Sequence, residues 1–322
     1  MKNRITLVAA LFLSYFVSFG QVMPSVEENI SYLVTFSRSS DRTWGDDDNI
    51  QIYFFAVPEA VKTPFYIRVF DPDNGGTIDE NRAGFNSKTK FSVYGGIGAH
   101  SNGDAIKPDP VRNYKSGVLL NTKTFGEDKS YDNSWFNFGP FNALEGEQQS
   151  DLGGYVFKLV VEGLDGDDGN LYKVALSSDK QKNLKLEGGN IFTYEYCFRT
   201  SDKELNTCHL FPFITKEITA VKVNTYDYDE EGIIRIVSID KKGEEIQPSG
   251  DGKWDASEHK ITNKEINTSL DIQFIKRKPV NNNNIVVYLT NQYGVAMPFY
   301  TAPIGGVPKY KSQLSAKPSQ LK

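Results

Sequence analysis

The sequence YVFKLVVEGLDGDDGNLYKVALS, residues 155–177, contains two apolar segments joined by an acidic connection. In the first segment apolar side chains recur at every second position: Tyr155, Phe157, Leu159 and Val161. This period of two is typical of a strand with one face in a hydrophobic core. The glycines and aspartates between the segments are typical of a turn. The stretch therefore predicts two β-strands and no helix.

The same alternation recurs along the chain, interrupted by clusters of Gly, Pro, Asn and Asp. No segment of helical length keeps a period of 3.6 residues, so we predict an all-β protein. The predicted strands are 30–37, 50–57, 65–70, 89–95, 117–125, 134–141, 155–162, 171–177, 191–199, 217–226, 233–240, 269–276, 285–291 and 296–301.

The chain has 322 residues, which is more than one ordinary domain and suggests two. The nine strands in residues 21–200 predict a larger antiparallel β-sandwich or jelly roll. A polar linker, 201–216, is followed by a predicted immunoglobulin-like sandwich in 217–305. The last segment, 306–322, contains lysines and prolines but no acidic residue, and is predicted to be a flexible basic tail.

The first 20 residues, MKNRITLVAALFLSYFVSFG, have the features of a secretory signal peptide. Lys2 and Arg4 precede the apolar segment 5–17, and small residues precede Gln21. An uncleaved anchor is the alternative, but the segment is shorter than the ~20 residues of a membrane-spanning helix. No later segment reaches that length. We therefore predict an exported protein of the periplasm, cell surface or medium, with no membrane span.

The net charge of the protein restricts the classes of partner that it can bind. The formal net charge is −5, and loss of Lys2 and Arg4 with the signal peptide changes it to −7. Nucleic acid is excluded as a partner because binding to phosphates requires a basic surface. A cation, a neutral glycan or an extracellular protein is compatible with this charge.

Cys197 and Cys208 are the two cysteines of the chain. In an oxidising compartment such a pair is expected to form one disulfide that closes a short loop. Two free thiols are the alternative.

Aspartates concentrate in particular loops. If the strands of the first domain alternate in direction, the loops after odd-numbered strands lie at one end of the sandwich. Converging carboxylates favour Ca²⁺, which binds oxygen ligands in flexible geometry. The alternative is that these are ordinary solvated turns, which also use Asp, Asn and Gly. The candidate ligands are Asp46, Asp48, Asp71, Asp73, Asp79, Asp165, Asp167 and Asp168.

The segment DPDNGGTID partly matches the calcium loop of EF-hand sites. Asp71, Asp73 and Asp79 occupy loop positions one, three and nine, and Gly76 occupies the glycine position. Arg82 stands where a bidentate glutamate is required. This loop therefore needs ligands from its neighbours to hold an ion.

Exposed aromatic rings are a second candidate feature. Trp44 precedes an acidic loop, and Trp135 alternates with Phe136 and Phe138, so it is predicted to point away from the core. Aromatic planes of this kind stack on sugar rings. The alternative is that both tryptophans cover the core. Trp254 is predicted to lie in a loop.

Motifs for catalysis are absent from the sequence: it contains no HExxH, no GxSxG and no phosphate-binding glycine loop. We assign no catalytic residue. Two carboxylates of the acidic loops would suffice for hydrolysis of a glycosidic bond, so a polysaccharide hydrolase remains an alternative.

YIRVFDPD (66–73) and FKLVVEGLDGDDGNLYKVALS (157–177) resemble segments of exported bacterial β-sandwich modules of the pre-peptidase C-terminal and collagen-binding type. The resemblance is confined to the first domain. It implies a jelly-roll-like sandwich, calcium bound by acidic loops, and a role in adhesion or substrate targeting. Such modules accompany an enzyme, whereas no catalytic domain is visible here. The ligands that the resemblance implies are Asp71, Asp73, Asp165 and Asp167.

The sequence therefore predicts a secreted binding or adhesion module, stabilised by calcium, that recognises a glycan or an extracellular protein. An extracellular polysaccharide hydrolase is the first alternative. The second is a structural subunit of an extracellular assembly, with the basic tail 306–322 docking to a partner.

Overall fold

A computed structural model of the protein describes residues 21–201, 205–228, 232–278 and 283–305. These ranges contain β-strands and short 3-10 helices but no α-helix, so the all-β prediction is confirmed. None of the described helices is long and apolar enough to cross a membrane. The predicted signal peptide, 1–20, and the predicted tail, 306–322, lie outside these ranges. The 3-10 helices are Arg42–Trp44, Lys129–Tyr131, Ala143–Glu145 and Ser150–Leu152.

All strand pairs in the described ranges are antiparallel. In chain order the strands are β1 (Gln21–Met23), β2 (Tyr32–Phe36), β3 (Ile50–Pro58), β4 (Phe65–Phe70), β5 (Thr89–Gly95), β6 (Val118–Phe125), β7 (Trp135–Phe141), β8 (Glu147–Gln149), β9 (Gly154–Gly163), β10 (Gly169–Ser177), β11 (Asn190–Thr193), β12 (Glu195–Arg199), β13 (Thr207–Pro212), β14 (Ala220–Tyr226), β15 (Gly232–Val237), β16 (Lys242–Ile246), β17 (Trp254–Lys260), β18 (Asp271–Lys276), β19 (Asn284–Asn291), β20 (Ala296–Met297) and β21 (Phe299–Tyr300).

The strands form two large sheets that face each other. Sheet A has the order β17-β14-β19-β12-β2-β10-β4-β7, with β1 beside β10 and β20 beside β19. Sheet B has the order β16-β15-β18-β13-β21-β11-β3-β9-β5-β6, with β8 beside β9. The hydroxyls of Tyr53 in sheet B and Tyr172 in sheet A lie 3.1 Å apart in the core between the sheets. Other core residues include Leu33, Val69, Phe91, Phe157, Phe198, Val221, Ile234 and Leu289.

Strand pairing continues across residue 200. In sheet A, Cys197 of β12 lies opposite Val286 of β19. In sheet B, Phe192 of β11 lies opposite Tyr300 of β21. The predicted linker, 201–216, contains a strand, β13, which lies between β18 and β21. Both predicted domains thus contribute strands to the same two sheets and side chains to one core.

The acidic connection in 155–177 is not a hairpin turn. Its first strand, β9, pairs with β3, β5 and β8 in sheet B, whereas its second, β10, pairs with β1, β2 and β4 in sheet A. The chain therefore crosses from one layer to the other between Gly163 and Gly169. Period-two alternation predicted both strands correctly, but it carries no information about which strands pair.

The predicted disulfide is wrong, because Cys197 and Cys208 are both free and buried. Cys197 belongs to a cluster on the outer face of sheet A, beside Phe36. Cys208 belongs to the core between the sheets. The Sγ atoms donate instead to backbone carbonyls, that of Cys197 to Gly45 at 3.5 Å and that of Cys208 to Asn29 at 3.4 Å.

Candidate functional site

Four acidic loops meet at one end of the sandwich, as the sequence predicted. They are the connections β2–β3, β4–β5, β6–β7 and β9–β10. Backbone hydrogen bonds join them in pairs: Ser37 to Asp168, Gly163 to Asn49, Asn74 to Gly126 and Asp71 to Ser134. Within this end, however, the carboxylates separate into distinct environments.

The aspartates of the β9–β10 connection do not converge on a common point with the others. Asp168 is buried and accepts hydrogen bonds from the backbone amides of Arg82 at 3.3 Å and Asn86 at 2.9 Å. Asp165 is exposed and pairs with a lysine at 3.4 Å. Asp167 is half-buried. In this connection, Asp168 serves to hold the neighbouring β4–β5 loop.

Asp71 and Asp73 form one convergent group, with Asp132 as the third member. One oxygen of each carboxylate lies within 4.8 Å of the other two. In the described part of the chain, no other set of three Asp, Glu, His or Cys ligands is this close. Burial raises the pKa of Asp71 to about 7, and the charges of Asp73 and Asp132 add to this effect. Asp132 was not among the predicted ligands, although its loop was predicted to lie at this end.

Asp79 has a different role from the one its loop position predicted. Its Oδ1 accepts a hydrogen bond from the amide of Leu171 at 2.7 Å, and its Oδ2 accepts one from Gly75 at 2.7 Å. Both oxygens therefore fix the shape of the β4–β5 loop and attach it to β10.

A second acidic group surrounds Glu195. Asp46 is buried and accepts hydrogen bonds from the amides of Phe36, Asp48 and Asn49, so it holds its own loop. Burial raises the pKa of Asp46 to about 6. Burial also raises the pKa of Glu195 well above its ordinary value, and the charges of Asp48 and Asp46 raise it further.

Glu195 reaches this group because the chain changes sheets immediately before it. Residues 191–199 were predicted as one strand, but β11 ends at Thr193 in sheet B and β12 begins at Glu195 in sheet A. The alternation of aromatic residues continues through Tyr194, so the change of sheet left no signal in the pattern. For this reason Glu195 was not a candidate in the sequence.

Asp48 and Glu195 open into a cleft of about 660 Å³. Trp254 and Tyr288 also line this cleft, and their ring centroids lie 5.0 Å apart. Trp254 is 39% exposed, and its Nε1–H donates to Oδ2 of Asp47 at 2.7 Å. Trp254 was predicted to lie in a loop, but it is the first residue of β17. The cleft thus combines an exposed indole with four carboxylates, those of Asp47, Asp48, Asp109 and Glu195.

Two cations also line the cleft, Arg42 and Lys107. Lys107 belongs to the long loop between β5 and β6, which packs over the outer face of sheet B through Ala105. Glu147 holds the start of this loop by accepting hydrogen bonds from the amides of His100 at 2.5 Å and Ser101 at 2.9 Å. The wall formed by this loop is therefore anchored to the sheet.

The two tryptophans predicted to bind a ligand lie outside this cleft. Trp44 is half-buried, and the guanidinium of Arg82 covers one face of its ring at 3.6 Å. Trp135 is also half-buried and lines a separate, open cavity of about 530 Å³. Its ring packs against Phe70 and Arg68.

Comparisons of the sequence with protein-family models and with curated proteins give no match. The side chains of each site indicate its chemistry. The group of Asp71, Asp73 and Asp132 offers carboxylate oxygens alone, which suits a hard cation. The cleft beside Trp254 offers an aromatic face with polar groups around it, which suits an amphipathic organic ligand.

Proposed function

We propose that the protein is a secreted or surface-associated binding module whose cleft beside Trp254 recognises a glycan. The observation that carries this proposal is the exposed indole of Trp254, held in the cleft wall by its hydrogen bond to Asp47. The predicted signal peptide supports export. The resemblance of the first domain to modules for adhesion and substrate targeting supports binding as the primary role.

A sugar matches the chemistry of this cleft. The C–H face of a pyranose ring packs on an indole, while its hydroxyls need donors and acceptors at the rim. Asp47, Asp48 and Glu195 supply acceptors, and Arg42 and Lys107 supply donors. A volume of about 660 Å³ falls within the range of about 300–1,000 Å³ common for ligand pockets.

The test is binding of the purified protein to a glycan array, followed by titration calorimetry with the glycans selected. We expect Trp254→Ala to weaken binding about tenfold or more, since a stacked aromatic ring contributes more than its buried area alone. Trp254→Phe should retain part of the affinity. Trp135→Ala is the matched control, because it removes a half-buried tryptophan from a different cavity.

Circular dichroism must show that all three variants are folded. The proposal is overturned if no glycan binds, or if Trp254→Ala binds as tightly as the unmodified protein. Equal losses in Trp254→Ala and Trp135→Ala would also overturn it, because they would place the ligand elsewhere.

Hydrolysis of a polysaccharide is the second candidate function, and the pair of Asp48 and Glu195 favours it. Burial raises the pKa of both carboxyl groups, and both line the cleft. A protonated carboxyl group beside an ionised one is the acid and base arrangement of glycoside hydrolases. Hydrolysis predicts release of reducing ends from a bound polysaccharide, with loss of release in Glu195→Gln while binding remains. Binding without any product in the unmodified protein would exclude it.

A further inference from the structure

The group of Asp71, Asp73 and Asp132 joins two connections at the acidic end. Asp71 and Asp73 follow β4, whereas Asp132 precedes β7. Their closest oxygens lie within 4.8 Å of one another, although Asp132 is about 60 positions along the chain from Asp71 and Asp73. The three carboxylates thus meet through tertiary structure and not through a local turn.

The second observation is that buried oxygens of this group lack donors. Asp71 and Asp73 are only 2% and 1% exposed. In the described ranges, Oδ1 of Asp71, Oδ1 of Asp73 and Oδ1 of Asp132 are buried and have no hydrogen-bond partner. Nearly all buried polar atoms in folded proteins have a partner, so three adjacent exceptions require an explanation.

The second carboxylate oxygens of Asp71 and Asp73 accept hydrogen bonds from the backbone. Oδ2 of Asp73 accepts a hydrogen bond from the amide of Tyr131 at 3.1 Å. The carboxylate of Asp71 accepts one from the amide of Asn133. Asp71 and Asp73 are therefore each fixed by the backbone beside Asp132 through one oxygen, while Oδ1 of each remains buried without a donor.

We propose that Asp71, Asp73 and Asp132 form a binding site for one Ca²⁺ ion. A cation would supply the missing partner for all three oxygens and relieve their mutual repulsion. One oxygen of each carboxylate lies within 4.8 Å of the other two, which is close enough for one Ca²⁺ ion at about 2.4 Å to contact all three. The absence of His and Cys from the group favours a hard cation over zinc.

Gly76 permits this arrangement. Its φ is +72°, and a Cβ atom at this position would lie 2.6 Å from Oδ2 of Asp132. A side chain here would therefore push Asp132 away from the group. Asp79, the third ligand that the loop pattern predicted, is occupied with backbone amides, and Asp132 takes its place.

This proposal concerns stability and goes beyond glycan binding, since the cleft beside Trp254 uses none of these residues. The ion would clamp the β4–β5 connection to the β6–β7 connection. Sites in extracellular modules bind Ca²⁺ with a Kd of about 0.1–1 mM, so the ion would stabilise the folded state at about 5 mM CaCl₂.

The test is thermal unfolding of the purified protein in EDTA and in about 5 mM CaCl₂, with binding measured by calorimetry. We expect Ca²⁺ to raise the Tm of the unmodified protein by a few degrees. Asp132→Asn should lose this shift and bind Ca²⁺ about tenfold or more weakly, because affinity depends on the charge of the ligands. Asp165→Asn is the matched control, since it removes the same charge from an exposed position at the same end.

A purely structural role for Asp132 predicts a different result. If Asp132 only held its loop, Asp132→Asn would lower the Tm equally in EDTA and in CaCl₂. If Asp132 is a ligand, the Asp132→Asn protein should have a Tm in EDTA no lower than that of the unmodified protein, because one of three mutually repelling charges is gone. The proposal is overturned if Ca²⁺ does not shift the Tm of the unmodified protein. It is also overturned if Asp132→Asn keeps the full shift, or if Asp165→Asn loses as much as Asp132→Asn.

Discussion

The indole of Trp254 donates a hydrogen bond to Oδ2 of Asp47 over 2.7 Å, between residues that are 207 positions apart. Trp254 begins an edge strand of sheet A, and Asp47 lies in the loop that leads into sheet B. The ring packs against Tyr226 and Tyr288, whose ring centroids lie 5.2 Å and 5.0 Å from its own. The hydrogen bond therefore joins the edge of sheet A to the loop that connects the two sheets.

Asp47 should act on glycan binding by positioning Trp254. Asp47→Ala removes the acceptor, so we expect the affinity for the array-selected glycan to fall about tenfold to 150-fold, the range for a hydrogen bond to a charged group. Asp47→Asn keeps an acceptor oxygen and should lose much less. Calorimetry measures both variants. A loss in Asp47→Asn as large as that in Asp47→Ala would show that the negative charge, and not the position of the ring, is what the ligand requires.

The two thiols should be inert in the folded protein. Burial raises the pKa of Cys208 to about 12 and that of Cys197 well above its ordinary value, so neither forms a reactive thiolate near neutral pH. We expect a thiol reagent at pH 8 to label neither residue in the native state and both in denaturant without reductant. Dithiothreitol should leave the Tm unchanged. Failure to label two thiols in denaturant would indicate a disulfide.

The long strands of the core were predictable because half-buried strands impose a period of two on the sequence. The strands β1, β8, β13, β16 and β17 were not predicted. The meeting of the acidic loops was predictable because antiparallel connections return to the same end. The position of Glu195 beside the acidic loops was not predictable, because the aromatic alternation continues through Tyr194, where the chain changes sheets. Trp254 was not, because its strand, WDASEHK, lies at a sheet edge and is largely exposed, so it lacks a continuous apolar face.

Which aspartates are available for the proposed Ca²⁺ site depends on backbone hydrogen bonds, and these cannot be predicted from the sequence pattern. Asp79 and Asp132 both lie in acidic loops at the same end. The amides of Gly75 and Leu171 occupy the oxygens of Asp79, whereas Oδ1 of Asp132 remains buried without a donor. From the composition of the loops alone, Asp79 and Asp132 are equally good candidates for a metal ligand.

Arg199 should be important for stability. Its guanidinium contacts the carboxylate of Glu80, which is 2% exposed and is also contacted by Arg82. Arg199→Met leaves a buried charge with one partner fewer, so we expect the free energy of unfolding to fall by about 2–4 kcal/mol. The exposed pair of Lys264 and Asp240 provides the control, because Lys264→Met should cost less than about 1 kcal/mol. Urea unfolding measures both, and equal effects would contradict the expected role of burial.

Glu28 should make stability depend on pH. Its side chain is fully buried and bonded to the amide of Ser25 at 2.5 Å and the hydroxyl of Tyr196 at 2.9 Å. Burial raises its pKa from 4.5 to about 8, and the neighbouring charge of Glu27 adds to this effect. The folded state therefore keeps a proton that the unfolded chain loses first.

The direction of the pH dependence follows from the difference in the pKa of Glu28 between the folded and the unfolded state. Its contribution to the free energy of unfolding is fully present below pH 4.5, is lost as the pH rises to about 8, and is constant above that. Each unit of pKa shift corresponds to about 1.4 kcal/mol, so the loss reaches several kcal/mol. Glu28→Gln can accept from Ser25 and donate to Tyr196 without a charge. We expect this variant to be more stable than the unmodified protein at pH 8 and to lose less stability between pH 5 and pH 8 in urea unfolding. Parallel pH profiles for the two proteins would show that Glu28 is not protonated in the folded state.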